Sequence, residues 1–188
     1  MKPNPYLARL AQHHPTNAMQ QRICQAYLVA YHRHDFALIT IREICQIAGI
    51  VRTTFYRYFD NTVQLRNLIE DNFIAGLLAS SRGITEAAID SDDFNASIKS
   101  MIAFLQDNRQ TLKLLLVERP SQSFMDKYIN SINYEYYHLS HENETNLAIL
   151  AGGLIGFFRF RLANNLSLDD PEVITTYAHF VRRMINAF

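Results

Sequence analysis

The chain holds almost none of the signals that mark β-structure. It contains no Asn-Gly or Asp-Gly pair and no sustained alternation of apolar and polar residues, which argues against hairpins and sandwiches. Long apolar runs are missing too. The longest stretch free of charged or strongly polar residues, "LAILAGGLIGFF" at 147–158, has 12 residues, and a bilayer span needs about 20. The opening "MKPNPYLARLAQHHPTN" lacks the apolar core of a secretory signal. Only two cysteines occur, Cys24 and Cys45, each inside an apolar helical stripe. They read as buried thiols of a cytoplasmic protein rather than as a disulfide framework. No G-x-S-x-G, no Walker loop and no dinucleotide fingerprint is present, so neither enzymatic activity nor a cofactor is expected. His138, His141 and Glu142 have the look of a metal site, but an isolated H-x-x-H on a polar stretch reads as a solvated face, and no metal is expected. Asp90, Asp92 and Asp93 cluster where a helix start would favour negative charge.

What remains is 188 residues, 48% of them hydrophobic. That is enough for one large domain or two small ones with a substantial core. Net charge is zero, yet it is unevenly spread. Residues 1–60 carry seven Lys/Arg against three Asp/Glu, a net of +4, and residues 61–188 carry eleven against fifteen, a net of −4. A basic head on an acidic body fits a nucleic-acid-binding segment joined to a different module.

Helical periodicity runs through the whole chain. Met19, Ile23, Tyr27 and Ala30 form a first stripe, started by Thr16 or Asn17, with Gln20 three residues on as a loose capping box. Thr40 and Glu43 form a T-x-x-E box before a second stripe of Ile41, Ile44, Cys45 and Ala48. Gly49 ends it, being free to adopt positive φ. Gly49-Ile50-Val51 is then the whole joint before another helix, expected over about Arg52 to Phe59 with Phe55 and Phe59 inward. Two helices joined so tightly make a helix-turn-helix, here over residues 40–59. Asn61 caps a long helix bearing Leu65, Leu68, Ile69, Phe73 and Leu77. Further helices follow: one with Phe94, Ile98, Met101 and Leu105; a short "RQTLKLLLVE" stopped by Pro120; one with Phe124, Tyr128, Ile132, Tyr136 and Leu139; the apolar "ETNLAILAGGLIGFFRFRLANN"; and a last one, capped by Asp170 with Pro171 at its first position, with Ile174, Tyr177, Ala178, Val181 and Ile185. The expectation is an all-α chain of about nine helices.

On the second helix of the motif, Phe55 and Phe59 belong to the core. Arg52, Thr53, Thr54, Tyr56, Arg57 and Tyr58 are left on the outer faces, with Arg42 on the helix before. Guanidinium forks, hydroxyls and flat rings suit a helix in the major groove, where Arg reads guanine and Thr touches a thymine methyl. Tyr hydroxyls suit phosphates, and Thr40 with the free N–H groups beside it offers a second phosphate site. The bland alternative is that the aromatic run only builds a domain interface.

Residues 40–62 resemble the TetR family of transcriptional repressors: Thr40 at the cap, Ile44 and Ala48 in the core, Gly49-Ile50 at the turn, then "TFYRYF" and "LRNLI". The strong likeness covers roughly residues 15–72, and "LAILAGGLIGFFRFRLANNLSLDDPEVI" is more loosely similar to the last two helices of some members. Two positions depart. The family usually has Ser or Thr where this chain has Val51, the N-cap of the recognition helix, and often Lys where it has Thr62. Both changes remove phosphate-binding capacity.

The resemblance implies a DNA-binding domain over residues 1–75 and a regulatory and dimerisation domain over 76–188. It implies a homodimeric repressor on a palindromic operator in double-stranded DNA, with Thr40, Arg42, Arg52, Thr53, Thr54, Tyr56, Arg57, Tyr58 and Thr62 at the DNA. Release by a small-molecule effector is implied as well. Control of the same head by a protein partner, in an activator or co-regulator, is the alternative, and a helical adaptor or enzyme keeping the head as scaffold is a third reading. Glycines inside a helix carry a penalty of about 1 kcal/mol each against alanine. Those of "AGGLIGFF" therefore point to a close helix approach, which the resemblance places at a dimer interface of Ala151, Gly152, Leu154, Gly156, Phe158, Ile174, Ala178, Val181 and Ile185. Room for a ligand or for Phe side chains within one subunit is the other explanation. Phe104, Tyr128, Tyr136 and Phe157 are the candidates for lining an effector pocket. No membrane partner is expected.

Overall fold

A computed structural model describes residues 17–82, 84, 91–140 and 144–186, without the side chains at 133, 135–140, 144, 146, 147 and 184–186. Among the described residues all regular structure is helical: α1 (Ala18–Arg33), a 3-10 turn (Phe36–Leu38), α2 (Ile41–Ala48), α3 (Arg52–Tyr56), α4 (Thr62–Ser80), α5 (Asp92–Asp107), α6 (Arg109–Lys113), a π-turn (Leu114–Glu118), α7 (Gln122–Ser140), α8 (Glu144–Ala163) and α9 (Pro171–Asn186). The chain divides into two compact units, the break falling between Phe73 and Ile74, inside α4. No described helix is long and apolar enough to cross a membrane.

In the first unit, local chemistry sets the helix ends. Asn17 Oδ1 accepts from the Gln20 N–H at 3.0 Å and starts α1; Thr16 lies outside the described residues. Thr40 Oγ1 accepts from the Glu43 N–H at 3.2 Å and starts α2. Asn61 Oδ1 accepts from the Gln64 N–H at 2.9 Å, and Gln64 Oε1 reaches back to the Asp60 N–H at 2.6 Å, a reciprocal pair that starts α4. Gly49 sits at φ 61°, ψ 42°. The left-handed turn lets its N–H and that of Ile50 return to the carbonyls of Gln46 and Cys45. The core beneath is built from Ile23, Tyr27, Ala30, Ile44, Ala48, Phe55, Phe59 and Leu65, all buried. Tyr27 and Tyr31 stack with centroids 5.8 Å apart.

One helix is shorter than its pattern predicts. Instead of reaching Phe59, α3 ends at Tyr56. The Arg57 and Tyr58 N–H groups bond three residues back, to Thr54 and Phe55, so the last turn tightens to 3-10 geometry. Phe59 still faces inward, 3% exposed.

In the second unit, α5 packs against α9, α7 against α8, and α6 against α8. Phe94, Ile98, Ile102, Leu105, Phe124, Leu154, Phe158, Leu162 and Val181 fill the core. The Tyr177 hydroxyl, buried there, donates to Met101 Sδ at 3.6 Å. The expected single helix "RQTLKLLLVE" is two pieces. It widens into a π-turn in which Arg119 N–H returns to the Leu114 carbonyl, five residues back, and all of Leu114, Leu115 and Leu116 are thereby buried. After α8, Asn165 takes φ 55°, and the Leu166 N–H closes onto the Arg161 carbonyl at 2.8 Å, a C-terminal motif in which Asn does the usual work of Gly. Arg109 donates to the Leu166 carbonyl and Lys113 to Asn165 Oδ1, at 2.8 and 2.9 Å, which ties that loop to α6. As expected, Asp170 Oδ1 accepts from the Glu172 N–H at 2.9 Å to start α9.

Candidate nucleic-acid interface

Because α3 is a single short turn, its inner and outer faces are set by two residues. Phe55 is wholly buried and meets Phe59 at 5.8 Å between centroids. Arg52, Thr53, Tyr56 and Arg57 are exposed, whereas Thr54 and Tyr58 are half-buried. On α2, Thr40 and Arg42 are exposed; at the start of α4, Thr62 is half-buried beside the Asn61 cap. The Thr40 hydroxyl is already engaged as the α2 cap by one lone pair, which leaves its proton and second lone pair for another partner. Arg42, Arg52 and Arg57 form no ion pair with any described residue. Guanidinium groups without a carboxylate partner among the described residues leave their positive charge available to an anion.

The sequence placed Arg42 and Arg52 on different helices without joining them. In the structure they border one open hollow of about 480 Å³, lined also by Cys45, Gln46, Ile50, Val51 and Thr53. Gln46 was not singled out by sequence reasoning, and Ile50 and Val51 were noted only as the turn and the departing cap position. The signal that could have found them is the tight Gly49 turn, which folds the end of α2 against the start of α3. Val51 is the N-cap of α3 and supplies no side-chain hydrogen bond; it is 66% exposed. Cys45 is 4% exposed, and burial pushes its thiol up, partly countered by the Arg52 guanidinium. The hollow thus has an apolar side and a cationic rim.

Behind this surface lies a buried polar group. Glu70 is fully buried, with Arg66 Nε 3.9 Å from its carboxylate. The Arg66 guanidinium lies over the Phe36 ring, 3.9 Å from its centroid. Burial drives the Tyr27 hydroxyl well above the ordinary tyrosine range; Arg66 opposes this, and Tyr31 and Glu70 add to it. Cys24, also buried, is pushed up to about 12 by desolvation, partly countered by a backbone hydrogen bond. Tyr27, Cys24 and Glu70 thus lie inside the first unit rather than facing solvent.

The remaining sequence candidates lie in the second unit. Ala151, Leu154, Phe158, Ala178 and Val181 are buried within the chain's own packing, Ile174 is half-buried, and Gly152 and Gly156 are exposed; the Ile185 side chain lies outside the described residues. A side chain already covered in one subunit has little surface left for a second one. The exposed face of α8 is instead Ile149, Gly152, Gly153, Gly156 and Phe160, with Phe180 of α9 beside it. A Cβ placed at Gly152 or Gly156 would meet nothing within 4 Å, and one at Gly153 would meet only Phe180, at 3.9 Å. Among the described residues, no side chain fills the space over Gly152 or Gly156. At Gly76 one does: a Cβ there would come within 2.4 Å of the Phe104 ring.

That contact also accounts for Phe104, one of the four pocket candidates. Tyr128 is buried against Phe124, centroids 6.3 Å apart. Phe157 meets Phe158 edge to face at 5.4 Å. Phe104 thus packs against a neighbouring helix, while the ring contacts of Tyr128 and Phe157 are with residues of their own helices; the Tyr136 side chain, like that of His138 and like Asp90, His141 and Glu142, lies outside the described residues.

No protein-family model and no curated protein sequence matches the chain. Solved structures do. The chain is similar to the dihydroxyacetone kinase operon activator DhaS, with a TM-score of 0.61 and 18% identity, covering 91% of this chain and 98% of that one. It is also similar to the fatty acid degradation regulator FadR from Bacillus halodurans, with a TM-score of 0.59 and 12% identity over 90% of this chain and 97% of that one. At such identities the likeness is one of fold, an all-helical architecture.

Proposed function

We propose that the chain is a DNA-binding transcriptional regulator of the TetR type, reading double-stranded DNA through α3. The observation that carries this reading is the outer surface of the helix-turn-helix, where Arg42, Arg52 and Arg57 stand exposed and without a carboxylate partner among the described residues, while Phe55, with Phe59 just beyond the helix, anchors it from behind. Such an arrangement offers Arg52, Thr53 and Arg57 to base edges and Thr40, Tyr56, Tyr58 and Thr62 to phosphates. Residues 1–75 form the DNA-binding head and residues 76–188 the regulatory and dimerisation domain. Both solved neighbours are named as regulators, which supports a regulatory role over a scaffold or an enzyme.

The regulator acts as a homodimer on a palindromic operator, its two heads serving half-sites about 34–36 Å apart. The open glycine face of α8 supports this. Three mid-helix glycines weaken α8, and no side chain among the described residues uses the space above Gly152 and Gly156. A symmetry-related α8 would use it, with Ile149 and Phe160 at the flanks and Phe180 of α9 alongside. Repression relieved by a small-molecule effector is the primary reading. Activation is the second, and it rests on one neighbour being named an operon activator.

The test is enrichment of random duplex DNA on the purified full-length chain, followed by titration of the enriched site. A palindromic motif should emerge. Arg57→Ala should then weaken binding by about 1–3 kcal/mol and relax one base position in each half-site. Absence of any enriched sequence, or an Arg57→Ala variant with unchanged affinity and selectivity, would overturn the reading.

A further inference from the structure

Val51 occupies a position where a polar side chain is favoured. As the N-cap of α3 it would normally accept a hydrogen bond from the helix, and valine is among the poorest residues at that task. It makes no such bond. Nor is it there for the core, being 66% exposed. A β-branched side chain is stiff at χ1, so Val51 projects two methyl groups in a nearly fixed direction. It does so on the hollow that Ile50 extends on its apolar side and that Arg42, Arg52 and Thr53 rim. A phosphate would gain from the arginines but not from the valine. A base edge bearing a methyl group would gain from both, and among the four bases only thymine presents a methyl in the major groove.

We propose that Val51 is a specificity-determining residue that packs against the thymine C5-methyl of one A·T pair in each half-site. This rests on the reading of α3 as a DNA-recognition helix and goes further, because it converts an absent phosphate contact into a base preference. The arginines on the rim hold the backbone and neighbouring guanines, and Val51 sets one A·T position between them.

Uracil differs from thymine only in lacking that methyl, with the same hydrogen-bonding groups, so single thymine-to-deoxyuridine replacements isolate the contact. Each thymine of the enriched operator is replaced in turn, and binding is measured for the wild type, Val51→Ala and Val51→Ser. For the wild type, one position per half-site should lose about fourfold in affinity, the value of one methyl removed from contact. Val51→Ala should bind the thymine and deoxyuridine forms of that position equally. Val51→Ser should also be indifferent there while the head unfolds at a higher temperature, because serine restores the cap. Thermal unfolding of both variants shows that the head remains folded. A wild type that binds its enriched site but ignores every deoxyuridine replacement would overturn the role of Val51 and leave DNA recognition standing. A Val51→Ala variant that still prefers thymine would overturn it too, assigning the methyl to another side chain. Failure of the wild type to enrich any sequence would overturn both.

Discussion

The rings of Phe55 and Tyr56 meet edge to face, centroids 5.7 Å apart and planes at 89°, although Phe55 is fully buried and Tyr56 is 52% exposed. Successive residues on one helical turn thus divide into anchor and contact. Phe55→Ala should destabilise the first unit by about 3–5 kcal/mol, as truncation of a buried aromatic does. Tyr56→Phe should leave stability within about 0.5 kcal/mol and weaken DNA binding uniformly across sequences through loss of a phosphate hydrogen bond. Urea unfolding and operator titration separate the two; equal losses of stability would contradict the division.

Arg66 and Glu70 make a second prediction. Glu70 has no exposure and lies 3.9 Å from Arg66 Nε, so removing the arginine alone takes charge compensation away from a buried carboxylate. Arg66→Met should destabilise the chain by about 3 kcal/mol, whereas Arg66→Met with Glu70→Leu should recover most of the loss, since the buried carboxylate and its half-buried arginine both give way to apolar groups of similar volume. A double-mutant cycle in urea reads the coupling. Additive losses would show that the two side chains act independently.

Cys24 gives the alkaline behaviour a sign. Its thiol is held at about 12 in the folded chain against 9.0 for the free group. The protonated form is the one that folding favours, so this contribution is fully present below about pH 9 and drains away as pH rises from there towards 12. The slope above pH 9 is up to about 1.4 kcal/mol per pH unit for one proton. Tyr27 drives stability in the same direction. Cys24→Ala should therefore flatten, without abolishing, the fall in stability between pH 9 and 11. In the native wild type at pH 8, Cys24 should react with a thiol reagent only on unfolding. Rapid labelling of the folded chain would sink this account.

Gly156 discriminates between intrachain and intersubunit roles. A Cβ there meets nothing within 4 Å, so Gly156→Ala should stabilise the monomeric helix by up to about 1 kcal/mol while weakening self-association. Gly156→Glu should give monomers that no longer bind palindromic DNA with a head that stays helical. Sedimentation at micromolar concentration, with circular dichroism alongside, reads both effects. A wild-type monomer, or association that survives Gly156→Glu, would remove α8 from the subunit contact.

The helical elements and many of their ends are legible along the chain, because they depend on near neighbours. Thr40 and Glu43, Asn61 and Gln64, and Asp170 with Pro171 are local pairs, and the positive φ of Gly49 needs only a residue without Cβ. The sequence also separates Phe55 from Tyr56, since the period of a helix assigns adjacent residues to different faces. The tertiary structure decided what depends on distant partners. In α8 nearly every position is apolar, so periodicity carries no direction; only packing against α6 and α7 turned Leu154 and Phe158 inward and left Ile149, Gly156 and Phe160 outside. Packing likewise opened the π-turn after α6, pressed Phe104 onto Gly76, and brought Arg42 of α2 to the same hollow as Val51 of α3. Local hydrogen bonds are written in short spacings, whereas the choice of which apolar face to bury is a competition among whole helices, settled only when all of them are in place.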